Sequence, residues 1–342
     1  MRRQNLTLPT SFDFLIAMGA VTAFMLAFLW LGVPTKTPGP LEVGVTFSQI
    51  YAQDLGLNWR ELLTATLDDL KIRRLRLPAY WSLVEPRRGQ FDWSALDYQL
   101  DEVARRNGSV LLAVGLKLPR WPECWMPEWV QSLPKQAEHA ARLEYLRAVV
   151  MRYKNHPALG GWQVENEADF PFGFCPPPDR AFFRREVKLV RELDPTHTVA
   201  TTDSGELATW LSLGPSTDRL GVSVYRVVTL PWGTVWRYTW IPPYWYKRHA
   251  LLVLPWVKEV FVSEFQMEPW SEQSLAKTPL AQQLRTFSIT QMNDNFRFAE
   301  RMGIREIYFW GVEWWWFMKT QRHEAGFWDA ARDFFERQAQ NR

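Results

Sequence analysis

Two apolar runs in this chain end in an acid. The first is Gly161-Trp-Gln-Val-Glu-Asn-Glu167, and the second, much further along, is Val260-Phe-Val-Ser-Glu264-Phe265. A short apolar run that stops at a carboxyl group reads as a buried strand whose end opens into a cleft. Two carboxyls on different strand ends, facing across one cleft, suit the cleavage of a glycosidic bond. One protonates the leaving oxygen and the other attacks the anomeric carbon. A separation of about 5–5.5 Å gives retention of configuration, and a wider gap gives inversion. Glu165 competes with Glu167 for the role of acid, because it shares the same face if the strand runs on.

The elements that must hold these groups come from the hydrophobic pattern. From Leu41 onward, short apolar strands alternate with longer amphipathic stretches, the βαβ pattern of a parallel sheet. Strands are expected near Val43–Phe47, Arg73–Leu77, Val110–Gly115, Gly161–Val164, Thr198–Thr202, Gly221–Tyr225, Val260–Ser263 and Ile307–Trp310. Eight such strands make an α/β chain with a (β/α)8 barrel over residues 41–342. Helices are expected over Trp59–Leu70, Trp93–Arg106, Glu138–Tyr153, Asp179–Leu193 and Leu280–Met302, with Asn58 and Asp92 as caps of the first two. On this count Glu167 follows the fourth strand and Glu264 ends the seventh. There is no internal repeat and no low-complexity tract.

That placement resembles glycoside hydrolase clan A, the retaining barrel β-glycosidases. The clan's acid/base is the Glu of an Asn-Glu pair after the fourth strand, and its nucleophile is a Glu ending the seventh. The resemblance implies Glu167 as acid/base and Glu264 as nucleophile, and it favours Glu167 over Glu165 because Asn166 directly precedes it. It further implies Arg76 (in Leu75-Arg-Leu-Pro78) beside the nucleophile, Tyr225 as a hydrogen-bond partner of the nucleophile, and Asn166 on the sugar 2-hydroxyl. Trp310 would be the stacking platform in the subsite where cleavage occurs. The stretch Tyr80-Trp81-Ser-Leu-Val-Glu-Pro-Arg-Arg-Gly-Gln-Phe-Asp-Trp93 is similar to one that follows the second strand in several clan members, so Trp81 joins the candidate substrate-binding residues. Asp203 and Lys117, at the ends of the fifth and third strands, and Glu313 with Trp314 to Trp316, after the eighth, are further candidates. The Trp-Gln-x-x-Asn-Glu form is similar to family 42 β-galactosidases, but their cysteine zinc cluster is missing. No cofactor and no metal are implied.

Composition narrows the alternatives. A formal charge of +3 without any long run of like charge argues against a nucleic-acid partner. The histidines show no metal-ligand spacing, and no phosphate loop or nucleophile elbow is present. The 20 Trp residues suit sugar clefts, membrane-interface belts and ordinary cores alike. Five of them, with three Tyr, fall between Arg226 and Lys258, a long connection after the sixth strand that belongs either at the cleft or at a membrane surface. Phe14–Val33 is an uncharged apolar run of the length that crosses a bilayer. Arg2 and Arg3 precede it, which predicts a cytoplasmic segment 1–13, a single-pass signal anchor 14–33, a linker 34–40 and an extracytoplasmic domain at the cell membrane, with a cleaved signal peptide as the alternative. Outside the cytoplasm Cys124 and Cys175 form a candidate disulfide, with two free thiols as the alternative. The expected partners are a carbohydrate and the membrane. A transglycosylase acting on cell-surface or lipid-linked glycan shares all of this chemistry, and a non-catalytic carbohydrate-binding barrel shares the fold.

Overall fold

The computed structural model describes residues 16, 18–25, 39–230, 232–271 and 274–340. Ten strands follow in chain order: β1 (Glu42–Thr46), β2 (Arg74–Pro78), β3 (Ser109–Val114), β4 (Leu159–Val164), β5 (Val199–Asp203), β6 (Arg219–Val224), β7 (Val227–Thr229), β8 (Val235–Arg237), β9 (Glu259–Gln266) and β10 (Glu306–Trp310). Eight of them close a parallel barrel in the order β1-β10-β9-β6-β5-β4-β3-β2, while β7 and β8 form a separate antiparallel hairpin. Closure removes every sheet edge, and the strands are buried on both faces, which is why they read as apolar runs in the sequence. The observed strands lie within a few residues of the expected ones.

The outer core lies between barrel and helices. Leu62 and Leu67 from the helix Trp59–Asp68, Leu100 and Val103 from Ser94–Ala104, Leu146 and Val149 from Lys135–Tyr153 and Val190 from Arg180–Leu193 are fully buried in it. Asn58 caps the first of these helices, accepting from the Arg60 N–H at 3.1 Å. The single helix expected over Leu280–Met302 is two, Leu280–Thr286 and Ile289–Glu300. Phe287 between them is extended and buried, and Ser288 starts the second helix by accepting from the Gln291 N–H.

Inside the barrel, Leu111, Ala200, Phe261 and Tyr308 form a small apolar plug. Gly221 makes room for it: a Cβ there would lie 2.8 Å from the Phe261 ring and 2.9 Å from Thr202. Below the plug, Arg219 lies over the Phe261 ring and bonds Glu259 and Glu306. With that end closed, the polar inward positions of β2, β4, β5, β6 and β9 gather at the other end, where the strands finish.

Among the described residues no helix is long and apolar enough to cross a membrane. The anchor expected at 14–33 lies largely outside the described residues; within it, residues 16 and 18–25 are helical and exposed.

Candidate active site

Arg76 is the hub. It is the middle residue of β2 with no exposed surface, and its guanidinium uses all three nitrogens. Nη1 donates to Glu264 Oε1 at 2.7 Å, Nε to Gln163 Oε1 at 2.7 Å and Nη2 to Asn166 Oδ1 at 2.7 Å. A planar fork with fixed donor directions therefore sets the relative positions of β2, β4 and β9. Tyr225, just after β6, donates its hydroxyl to the other Glu264 oxygen at 2.9 Å. Each Glu264 oxygen thus has one donor, the Arg76 bond being charge-assisted.

A bulge aims Glu264 into this position. On the β6 side, Val222 pairs with Val262 but the next residue, Ser223, pairs with Glu264. On the β10 side, Ile307 pairs with Val262 and Phe309 with Phe265. One extra residue at Ser263–Glu264 shifts the pleat, as bulges beside active sites do. The displaced Ser263 carbonyl lies 3.4 Å from Arg76 Nη1 and accepts from Thr46 Oγ1.

The end of β4 separates its two glutamates. The strand stops at Val164, and Glu165 and Glu167 adopt left-handed backbone, φ 57° and 44°. Glu165 therefore does not share the face of Glu167. Its carboxylate accepts from the Leu116 and Lys117 N–H groups at 2.8 and 2.6 Å and pairs with Arg142 at 3.4 Å, which spends it on structure. Glu167 turns into the barrel mouth. Its N–H donates to Thr202 Oγ1, and its Oε1 accepts from Ser223 Oγ at 2.7 Å. Burial first, and the negative charge of Glu264 second, push Glu167 up to about 7. Asn166 Oδ1 accepts from both Arg76 and Thr202, and its Nδ2 donates to Glu123 Oε2 at 3.2 Å, which leaves one amide hydrogen for the cleft.

Other expected residues fall into place unevenly. Lys117 donates to the backbone oxygens of Glu167 and Phe170 at 3.1 and 2.6 Å and supplies positive charge beside the acids. Asp203 is buried at the end of β5 with Oδ2 unpartnered, and burial pushes it up to about 7. Trp310 ends β10, but the Arg120 guanidinium lies over its ring, 3.8 Å from the centroid, and is sandwiched there against Tyr51. One face of the expected platform is therefore occupied by the protein itself. Glu313 is fully buried, bound to Arg120 at 2.6 Å and to the Ser48 N–H. It locks Arg120 rather than extending the cleft. Trp81 is displaced altogether. Its short helix turns the indole into the core, stacked on Tyr145 with Nε1 bonded to Glu85. Trp314 and Trp315 are likewise buried under the helix layer, bonded to Gln283 and to the Met267 carbonyl.

Cys124 and Cys175 are joined by a disulfide that ties the loop after β3 to the loop after β4. Around it runs an aromatic rim. Trp121 meets Phe174 and Phe172, Phe172 meets Trp270, and Trp270 stands edge-on to Tyr225 at 5.2 Å. The Arg226–Lys258 segment rises on another side. Its root is bolted to β9, the strand that carries Glu264, for Gln266 accepts from the Arg226 and Val227 N–H groups and donates to the Val227 carbonyl. Trp232 and Trp240 remain exposed there, while Trp245 and Tyr246 pack inward.

Sequence reading missed Glu123, Arg120, Gln163, Ser223 and Trp270. Glu123 and Arg120 sit on the irregular loop after β3 with left-handed φ of 74° and 83°, where no periodicity signals direction. Gln163 and Ser223 were legible in principle, as polar residues alternating inward along otherwise apolar strands.

No family model matches the chain. β-Galactosidase BgaB of Geobacillus sp. (strain Y412MC61) is 31% identical over 108 residues, covering 25% of this chain and 16% of that protein. Mannan endo-1,4-β-mannosidase F of Aspergillus fumigatus is 33% identical over 78 residues, covering 23% of this chain and 17% of that protein. The crystal structure of a β-galactosidase from the psychrophilic Marinomonas ef1 matches with a TM-score of 0.54 at 14% identity, over 79% of this chain and 54% of that one. The chain is similar to the barrel enzymes of glycoside hydrolase clan A. It spans only a small part of the length of the curated relatives it matches, and the structural likeness to the clan is one of fold.

Proposed function

We propose that this chain is a retaining β-glycosidase. The observation that carries the reading is the pairing of Glu264, held by Arg76 and Tyr225, with Glu167, a buried acid that keeps its proton up to about pH 7. Such environments, which push two carboxyls apart in acidity, assign them as nucleophile and acid. The short-spacing arrangement is supported by Ser223, which bonds Glu167 and is the paired neighbour of Glu264 on the adjacent strand. In the first step Glu264 attacks the anomeric carbon, the glycosidic C–O bond breaks, and the Glu167 proton passes to the leaving oxygen. In the second, ionised Glu167 takes a proton from water, the hydroxide oxygen bonds the anomeric carbon, and the ester to Glu264 opens.

Replacing Glu167 by Ala is expected to cost roughly 10²–10⁴-fold on substrates with poor leaving groups, the usual worth of a general acid. Aryl glycosides with good leaving groups should still load Glu264, and azide should restore turnover as a β-glycosyl azide. In the wild type, activity falls as pH rises through about 7, because the acid loses its proton; this alkaline limb disappears in the variant. An unchanged limb would assign the acid elsewhere.

We further propose that residues 14–33 hold the domain at the outer face of the cell membrane. The uncharged length of the run and the preceding arginines support this. Full-length protein should stay with membranes after an alkaline wash and be digested by external protease; release into the wash contradicts the anchor.

A further inference from the structure

A third carboxyl stands in the site without a part in the reaction above. Glu123 follows the Trp121-Pro122 bend and is almost fully buried. Its backbone is pinned in left-handed form by its N–H on the Arg120 carbonyl and by its carbonyl on the Leu118 N–H, both at 2.8 Å. Cys124 beside it is tied to Cys175, and Gly173 packs so closely that a Cβ there would lie 2.6 Å from Glu123 Cβ. A non-glycine residue held this firmly in an uncommon conformation points to a use for its side chain.

The side chain meets Asn166, whose Nδ2 donates to Glu123 Oε2 at 3.2 Å. Asn166 Oδ1 is already taken by Arg76 and Thr202. One of its two amide hydrogens therefore points to Glu123, and the second is left for substrate. In the glycosidase reading that second hydrogen goes to the 2-hydroxyl of the sugar being cleaved. Two acceptors on one amide nitrogen lie about 5 Å apart, given N–H···O distances near 2.9 Å. The 3-hydroxyl, next on the ring, falls in the gap between them.

We propose that Glu123 binds the 3-hydroxyl of the sugar whose bond is cleaved, and so selects sugars with that hydroxyl free and correctly oriented. This rests on the glycosidase reading of the same site. Burial and the charges of Glu264 and Glu167 push Glu123 well above the usual carboxylate range despite Lys117 nearby. In its protonated form the carboxyl has an O–H to donate as well as an oxygen to accept with, matching the two-way bonding of a hydroxyl.

The test uses the full chain with 4-nitrophenyl β-D-glucoside, β-D-galactoside and β-D-mannoside, and the 3-deoxy analogue of whichever is cleaved fastest. Wild type should lose roughly 10- to 100-fold in kcat/KM on the 3-deoxy substrate, the worth of one hydrogen bond to a buried polar group. Glu123→Ala should lose a similar factor on the parent sugar and show no further loss on the 3-deoxy analogue. Glu123→Gln, which keeps shape and hydrogen bonding, should retain part of the discrimination and serves if the alanine variant fails to fold. An active wild type indifferent to the 3-hydroxyl, or a 3-deoxy penalty unchanged in the variants, overturns the Glu123 assignment alone. A wild type that cleaves none of the glycosides and forms no adduct at Glu264 overturns the glycosidase reading, and the assignment with it.

Discussion

Glu264→Gln is expected to lower kcat by roughly four orders of magnitude or more, the scale on which removal of a covalent nucleophile acts. The substitution keeps size, leaves an oxygen to accept from Arg76 and turns an amide N–H toward the Tyr225 hydroxyl oxygen, so the barrel should fold and unfold much as the wild type does. Glutamine cannot form the glycosyl ester. Steady-state hydrolysis of an aryl β-glycoside, with thermal unfolding as a fold control, checks this. Residual activity within tenfold of wild type would remove Glu264 from the reaction.

The second large effect is on stability. Arg76→Met removes the bonds to Gln163, Glu264 and Asn166 at once and leaves the Glu264 carboxylate buried with Tyr225 alone. Breaking a buried ion pair from one side costs about 3–5 kcal/mol, because the surviving charge stays desolvated. Combining Arg76→Met with Glu264→Gln should recover much of the loss, since no unpaired charge remains. Arg76→Lys should not restore activity, because a single ammonium cannot hold Gln163, Glu264 and Asn166 in one plane. Urea denaturation at pH 7 measures the stability changes, and aryl glycoside hydrolysis measures the activity of Arg76→Lys; equal stability of wild type and Arg76→Met would contradict the central position given to this residue.

Much of the scaffold was legible because a parallel barrel writes itself plainly: strands buried on both faces, separated by amphipathic helices. Glu264 could be nominated from its place at a strand end, and Arg76 and Tyr225 from the resemblance to the clan, and the structure brings those three into contact. What was not legible depends on single backbone turns. The bulge at Ser263–Glu264 leaves no mark in the apolar pattern, yet it decides which way Glu264 faces. Two left-handed residues decide that Glu165 braces the loop after β3 while Glu167 enters the cleft. Trp81 lies in a motif that looks functional, but one short helical turn sends it into the core. The cover on Trp310 comes from Arg120, far away in sequence, and no local pattern encodes that contact. Glu123 was missed for the same reason: its loop is irregular and its direction is set by neighbours on the loop after β4.

The most direct test of the central claim is to trap the glycosyl-enzyme. A 2,4-dinitrophenyl 2-deoxy-2-fluoro-β-glycoside forms the ester quickly and releases it slowly, because fluorine destabilises both oxocarbenium-like transition states. Intact-mass measurement followed by peptide mapping should find one fluorosugar per chain, on Glu264, and none on the Glu264→Gln variant. An adduct on another residue, or none on a wild type that hydrolyses the parent glycoside, would contradict the assignment of Glu264 as the nucleophile of a retaining glycosidase.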